Sequence, residues 1–247
     1  MRLFFLVVNA IRSSAAYTVV AIWVLVFGPI GLLVNRFTRQ PRTLYALGRA
    51  GARLGLAIAG IRFHATGLEH VQHDRPAVYY ANHTSNVEPP VIFLSLISTH
   101  PQLKAIYKAE LRTVFPILRT AFDVAGFIPI DRSNRDQSIS ALQGASDSIR
   151  SGNSFLIFPE GTRNRGDGLL PFKKGGIVMA IIADAPLIPV AVRGARTAMQ
   201  KGSLFIHPVT VQVSIGNPIE TDTRTIDDRD DVIHEARDAL MDLLSNS

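Results

Sequence analysis

The chain contains no cysteine. Disulfides, a thiolate nucleophile and thiolate zinc sites are thereby excluded together, while the compartment stays open. No Gly-x-Ser-x-Gly stretch occurs either, so the strained serine elbow that this motif builds is not encoded. Internal repeats and low-complexity tracts are lacking, which excludes solenoid and fibrous architectures. Metal-ligand spacing is missing as well. His64, His70, His73, His100, His207 and His234 are scattered, and the pair His70 and His73 sits beside Gln72 and Asp74 in a polar stretch that reads as loop. No metal is expected.

Negative charge is in short supply. Asp plus Glu number 20 against 26 Lys plus Arg, a formal net charge of +6. A basic balance suits anionic partners: nucleic acid, acidic lipid surfaces or phosphorylated substrates. Nucleic acid fits poorly, because many of the basic residues flank an apolar segment instead of forming an exposed stripe; no nucleic acid is expected. Apolar residues make up 47% of 247, ample for one large domain or a domain with an appendage.

The longest absence is of charge itself. Ala15 to Val34 runs twenty residues without a charged side chain, and about 20 apolar residues is the length that crosses a bilayer core as a helix. A signal peptide has a shorter apolar region and leads to a small-residue cleavage site; here the run leads into Asn35-Arg36-Phe37. Trp23 and the charge-free length argue against a buried core helix. Gly28-Pro29 is expected to break the segment near its end, since Pro costs about 3 kcal/mol inside a helix. A basic cluster follows (Arg36, Arg39, Arg42, Arg49, Arg53), then a second apolar stretch from Leu54 to Ile61. Two readings stay open: one spanning helix with the basic end in the cytoplasm, or a hairpin dipping into one leaflet with its arginines at anionic headgroups. Residues 1–60 are thus expected to anchor the chain at a membrane, and 61–247 to form the catalytic domain at the cytoplasmic face.

Beyond residue 60 short apolar runs alternate with helical patterns. Strands are expected at 61–66, 77–81, 104–108, 127–130, 155–158, 187–192 and 209–215. Helices are expected at 138–149, at 175–183 and, amphipathic, at 232–244, where Ile233, Ala236, Leu240 and Leu243 share a stripe. The alternation predicts an α/β layered domain with a largely parallel central sheet flanked by helices.

Polar clusters follow several of these strands, and ligands in open α/β sheets bind outside the strands' carboxyl ends. The first cluster is Asn82-His83-Thr84-Ser85-Asn86-Val87-Glu88-Pro89-Pro90. Pro favours a helix start there, and Thr84, Ser85 and Asn86 are good capping residues. A strand, a turn holding His83 and a helix whose first turn holds Glu88 bring an imidazole and a carboxylate together.

Four blocks in order resemble the glycerolipid acyltransferase family, bacterial 1-acyl-glycerol-3-phosphate acyltransferases in particular. Residues 82–88 are similar to its His-x4-Asp block, Gly126 to Arg132 (Gly-Phe-Ile-Pro-Ile-Asp-Arg) to its second, Phe158 to Arg163 (Phe-Pro-Glu-Gly-Thr-Arg) to its third, and Leu187-Ile188-Pro189-Val190 to its fourth. The match covers about residues 60–195. One position departs: the family pattern carries Asp where this chain has Glu88. Glu keeps the charge and adds a methylene, so either the turn draws back by about an ångström or the longer arm folds.

The resemblance implies transfer of an acyl group from acyl-CoA or acyl carrier protein to the sn-2 hydroxyl of lysophosphatidic acid, giving phosphatidic acid, at a bacterial inner membrane with anionic lipids. Histidine's ordinary pKa near 6.5 suits it to take a hydroxyl proton at neutral pH, and a carboxylate on the other ring nitrogen holds the tautomer. His83 is expected as base and Glu88 as its orienting partner. Without cysteine or a serine elbow, direct attack on the thioester is expected, with no cofactor. Arg163 and Lys108 are expected at the acceptor phosphate, joined, by resemblance, by Glu160, Gly161 and Thr162. Arg132 either contacts that phosphate or the donor, or pairs with Asp131 or a loop carboxylate. Lys173 and Lys174 are expected to meet donor phosphates or the membrane surface. Another lysophospholipid or lyso-aminolipid acceptor, and a non-catalytic lipid-binding role, remain open alternatives.

Overall fold

The computed structural model describes residues 2–114, 116–131 and 133–246. Two long helices lead, α1 (Arg2–Thr38) and α2 (Arg42–Ala59). They are followed by β1 (Ile61–Thr66), β2 (Val78–Ala81), α3 (Glu88–Leu96), β3 (Lys104–Lys108), α4 (Leu111–Val114), α5 (Pro116–Ala125), β4 (Ile128–Ile130) and α6 (Arg135–Arg150). Then come β5 (Phe155–Ile157), α7 (Lys174–Ile182), β6 (Leu187–Arg193), α8 (Ala195–Ala198), β7 (Val209–Ile215) and α9 (Arg229–Asn246). The expected strands and helices all form. Sequence reading passed over α4, α5 and α8, although Pro116 at the first position of α5 is a helix-start signal.

Seven strands among the described residues form one sheet in the order β1-β7-β6-β2-β5-β3-β4. Neighbours run parallel except β6 and β7. So β2, β3, β4, β5 and β6 all point their carboxyl ends to one edge. The central β2 is buried along its whole length, which explains its unbroken apolar character: both sheet faces are covered. Alternate residues serve opposite layers. Tyr79 and Ala81 pack with Leu56, Val91, Ile92, Leu156 and Ile188 on the side of α2 and α3. Val78 and Tyr80 pack with Ile149, Phe155, Ile177, Met179 and Leu240 on the side of α6, α7 and α9. The tyrosine hydroxyls do not go unpaired, as burial requires. Tyr80 Oη donates to Ala236 O at 3.0 Å, and Tyr79 Oη lies 2.7 Å from His100 Nε2.

At the front the structure corrects one expectation. Helix α1 runs through Pro29 without ending. Close packing offsets the lost hydrogen bond: a Cβ added at Gly28 would lie 2.9 Å from Ile117 of α5, and one at Gly31 2.7 Å from Leu44. The apolar stretch from Leu54 is the second half of α2, which folds back along α1. Gly51 lies against the Trp23 ring and Gly55 against Val20, while Trp23 Nε1 donates to Leu47 O at 3.0 Å. Small residues at these crossings let the helix backbones approach. The amino-terminal half of α1 docks on the segment between α8 and β7. Ser13 Oγ accepts from Ile206 N at 2.8 Å, Tyr17 Oη reaches Met199 Sδ at 3.9 Å, and Asn9 Nδ2 lies 3.1 Å from His207 Nδ1.

Burial, with His73 nearby, pushes the His100 imidazole down to about 4. The folded protein therefore holds this ring neutral where the unfolded chain, at about 6.5, binds a proton. Its contribution is fully present above pH 6.5 and is lost as pH falls toward 4. The melting temperature is expected to drop across that interval, and His100→Gln to drop less steeply; parallel profiles for the two proteins would refute the assignment.

Candidate active site

The site is built at the carboxyl end of β2. Asn82 ends the strand by clamping its neighbour: Nδ2 donates to Val192 O at 2.9 Å and Oδ1 accepts from Val192 N at 2.8 Å. This pair of hydrogen bonds locks the start of the turn to β6. His83 follows, its Nδ1 2.7 Å from Glu88 Oε2. The histidine side chain keeps 18% exposure and the glutamate none.

Glu88 is the first residue of α3, and its carboxylate reaches back over the turn. It accepts from Thr84 N at 2.8 and 3.0 Å, from Thr84 Oγ1 at 2.6 Å and from Ser85 N at 3.1 Å. The expectation that Thr84, Ser85 or Asn86 caps the helix is corrected. Val87 occupies the N-cap position, without a side-chain cap among the described residues. Thr84 instead donates to the carboxylate, and Ser85 Oγ donates to Met199 O at 2.9 Å. His83 Nε2 makes no hydrogen bond among the described residues, so with Nδ1–H donating to Glu88 its lone pair would be free.

The loop after β5 closes on this turn. Phe158 stacks on the His83 ring, centroids 4.2 Å apart and planes at 27°. Glu160 is buried, accepting from His83 N at 2.8 Å and from Leu170 N at 2.9 Å. Desolvation pushes its carboxyl above the ordinary range, against the pull of those two N–H groups. Asn164 N donates to His83 O at 2.6 Å. Gly161 takes a positive φ of 72°, a conformation natural to glycine. It turns the chain so that Thr162 is exposed and Arg163 half-buried. The Arg163 guanidinium makes no hydrogen bond or ion pair among the described residues.

The other expected residues are placed less tightly. Lys108 ends β3 at the same sheet edge, two strands from β2, and pairs with Glu110 at 2.8 Å in the open. Lys173 is exposed, and its backbone N donates to Pro159 O at 2.7 Å. Lys174 is tied to Asp230 of α9 at 2.8 Å, away from the histidine turn. Arg132 lies outside the described residues; its neighbour Asp131 accepts from Ser133 N and Oγ in a local turn. Among the described residues no cluster of three His, Asp or Glu is placed to hold a metal ion. Sequence reading missed the structural parts of Phe158 and Asn164, and it missed Lys201, whose Nζ donates to Thr162 Oγ1 at 3.1 Å and to Arg163 O at 2.9 Å. Phe158 lay inside a quoted block; Lys201 had no local signal.

A family model described as Acyltransferase matches residues 62–193, the stretch that carries His83, Glu88, Glu160 and Arg163. The 1-acyl-sn-glycerol-3-phosphate acyltransferase of Limnanthes douglasii is 31% identical over 96% of this chain and 83% of its own length. That of Salmonella typhimurium is 31% identical over 70% of this chain and 68% of its own. The crystal structure of the 1-acyl-sn-glycerophosphate (LPA) acyltransferase from Thermotoga maritima superposes with a TM-score of 0.80 at 21% identity, covering 98% of each chain, a likeness of fold. The chain belongs to the acyltransferase family. It is an enzyme of acyl transfer with a mostly parallel sheet and an apolar helix in front.

Glu160→Gln leaves one oxygen to serve two backbone N–H groups, one in the turn after β2 and one in the loop after β5. The stranded donor costs about 2 kcal/mol. Urea denaturation is expected to show that loss; an unchanged midpoint would mean that Glu160 does not brace the turn.

Proposed function

We propose that this enzyme transfers a fatty acyl group from acyl-CoA or acyl carrier protein to the sn-2 hydroxyl of 1-acyl-glycerol-3-phosphate, producing phosphatidic acid. The observation that carries the reading is the contact of 2.7 Å between His83 Nδ1 and a fully buried Glu88. His83 Nε2 takes the acceptor's hydroxyl proton as the oxygen attacks the thioester carbonyl. Glu88 holds the ring and steadies the imidazolium that forms. Collapse of the tetrahedral intermediate breaks the carbon–sulfur bond, and the proton on His83 leaves with the thiol. No group on the enzyme is acylated. Arg163 receives the acceptor phosphate through a forked pair of donors, with Lys108, Arg132 and the Gly161-Thr162 turn beside it; Lys173 lies toward the donor or the lipid surface.

Substrate class and lipid binding meet in the front helices. Leu6, Ile11, Ile22, Leu25 and Leu33 of α1 are exposed, an apolar stripe along a helix in need of a non-aqueous neighbour. Contacts with the α/β layers near Asn9 and again near Gly28 favour α1 lying along one leaflet over crossing it. The arginines of α2 then meet anionic headgroups, at the cytoplasmic face of a bacterial inner membrane in this reading.

Thiol release with acyl-CoA and lysophosphatidic acid tests the assignment. His83→Ala is expected to lose at least about a thousandfold in kcat, Glu88→Asp to stay within about tenfold, and Arg163→Ala to raise the acceptor KM about tenfold or more. Substantial turnover by His83→Ala would sink the mechanism. A mild effect of Arg163→Ala would favour a neutral acceptor. Co-sedimentation with vesicles is expected to require anionic lipid and to weaken with salt; equal binding to neutral vesicles would contradict the electrostatic part.

A further inference from the structure

Lys201 stands on the segment between α8 and β7, outside every block that carries the family resemblance. Its ammonium reaches the loop after β5 and makes two hydrogen bonds, both to neutral oxygens: Thr162 Oγ1 at 3.1 Å and Arg163 O at 2.9 Å. No carboxylate pairs with it among the described residues. The cation nearby on α8, Arg196, is by contrast engaged by Asp167 at 3.2 Å. An ammonium held by neutral acceptors keeps its charge for an anion, and one of its three N–H donors is still unassigned.

The chemistry of the first bond has a consequence for Thr162. Lysine has no acceptor, so the threonine oxygen must accept. The hydroxyl hydrogen is then not used in this bond and is left for another acceptor. The second bond fixes the peptide that carries the Arg163 side chain. Lys201 thus sets the polarity of one group and the position of another, and adds a charge beside both.

Its own mount is firm. Met199, two residues earlier, accepts through its backbone oxygen from Ser85 Oγ of the histidine turn at 2.9 Å. Ile206 is bound to Ser13 of α1, with Ile206 N donating at 2.8 Å. The segment therefore bridges the front helix and the histidine turn, and holds Lys201 over the third block from outside.

We propose that Lys201 is a specificity-determining residue of the acceptor site: it presents Thr162 as a hydrogen-bond donor, seats Arg163, and supplies a second positive charge to a phosphomonoester headgroup. This rests on the acceptor reading above for the location of the phosphate. The donor thioester lies outside its reach in this scheme.

The test compares wild type, Lys201→Met and Lys201→Arg by two measurements. One is steady-state acyl transfer in mixed micelles. The other is equilibrium binding of lysophosphatidic acid against monoacylglycerol, its neutral counterpart. Lys201→Met is expected to raise the KM and Kd for lysophosphatidic acid about tenfold or more. The donor KM and the Kd for monoacylglycerol should stay within about twofold, and Lys201→Arg should recover most of the loss. A structural role alone would weaken both lipids and both substrates together, and that outcome overturns the proposal. So does a Lys201→Met enzyme with an unchanged acceptor KM and Kd. A wild type that binds lysophosphatidic acid through Lys201 yet transfers nothing would overturn the activity reading and leave the Lys201 assignment standing. A wild type that binds neither lipid would overturn both.

Discussion

A carboxylate without exposure to water must be met by donors on the protein side, because its desolvation is otherwise far too costly. Glu88 is such a group, and its four partners are His83 Nδ1, Thr84 N, Thr84 Oγ1 and Ser85 N. The turn between β2 and α3 is wrapped around this charge. That constraint explains why the imidazole is held in one orientation, why Thr84 is drawn inward instead of capping the helix, and why Ser85 is left to reach Met199. Glu88 makes these contacts from the first residue of α3.

The turn is in turn gripped by its neighbours. Asn82 ties it to β6 through a paired bond with Val192, and Glu160 and Asn164 tie the backbone of His83 to the loop after β5. Parallel strands make this convergence possible. Strands β2, β5 and β6 are adjacent and end at one edge, and neighbouring strands lie about 4.8 Å apart. Loops far apart in the chain therefore come within hydrogen-bond reach. The Phe158 ring covers one face of the imidazole.

The front helices extend the same logic from chemistry to location. In the proposed reading the acceptor is a lipid whose reactive hydroxyl lies close to its headgroup, which would put the enzyme at the interface. An exposed apolar stripe on α1 and arginines on α2 suit that position. The segment from Met199 to Pro208 is bonded to α1 on one side and to both site loops on the other. The position of α1 and the geometry at the proposed base are linked through it.

Much was legible without coordinates. Short apolar runs marked the strands, with alternation at β7, helical spacing marked α6 and α9, and the order of polar blocks after strands marked the edge where His83, Glu88, Glu160 and Arg163 gather. These are local patterns, determined by side-chain chemistry within a few residues, and the fivefold spacing from His83 to Glu88 is of that kind. Tertiary structure alone decided the rest: the continuation of α1 through Pro29, relieved by packing against α2 and α5; the clamp of Asn82 on Val192; the diversion of Lys174 to Asp230; and the arrival of Lys201 at Thr162. Each depends on which strands are neighbours and which helix covers them. Contacts across a hundred residues follow from sheet order, and no local pattern carries that information.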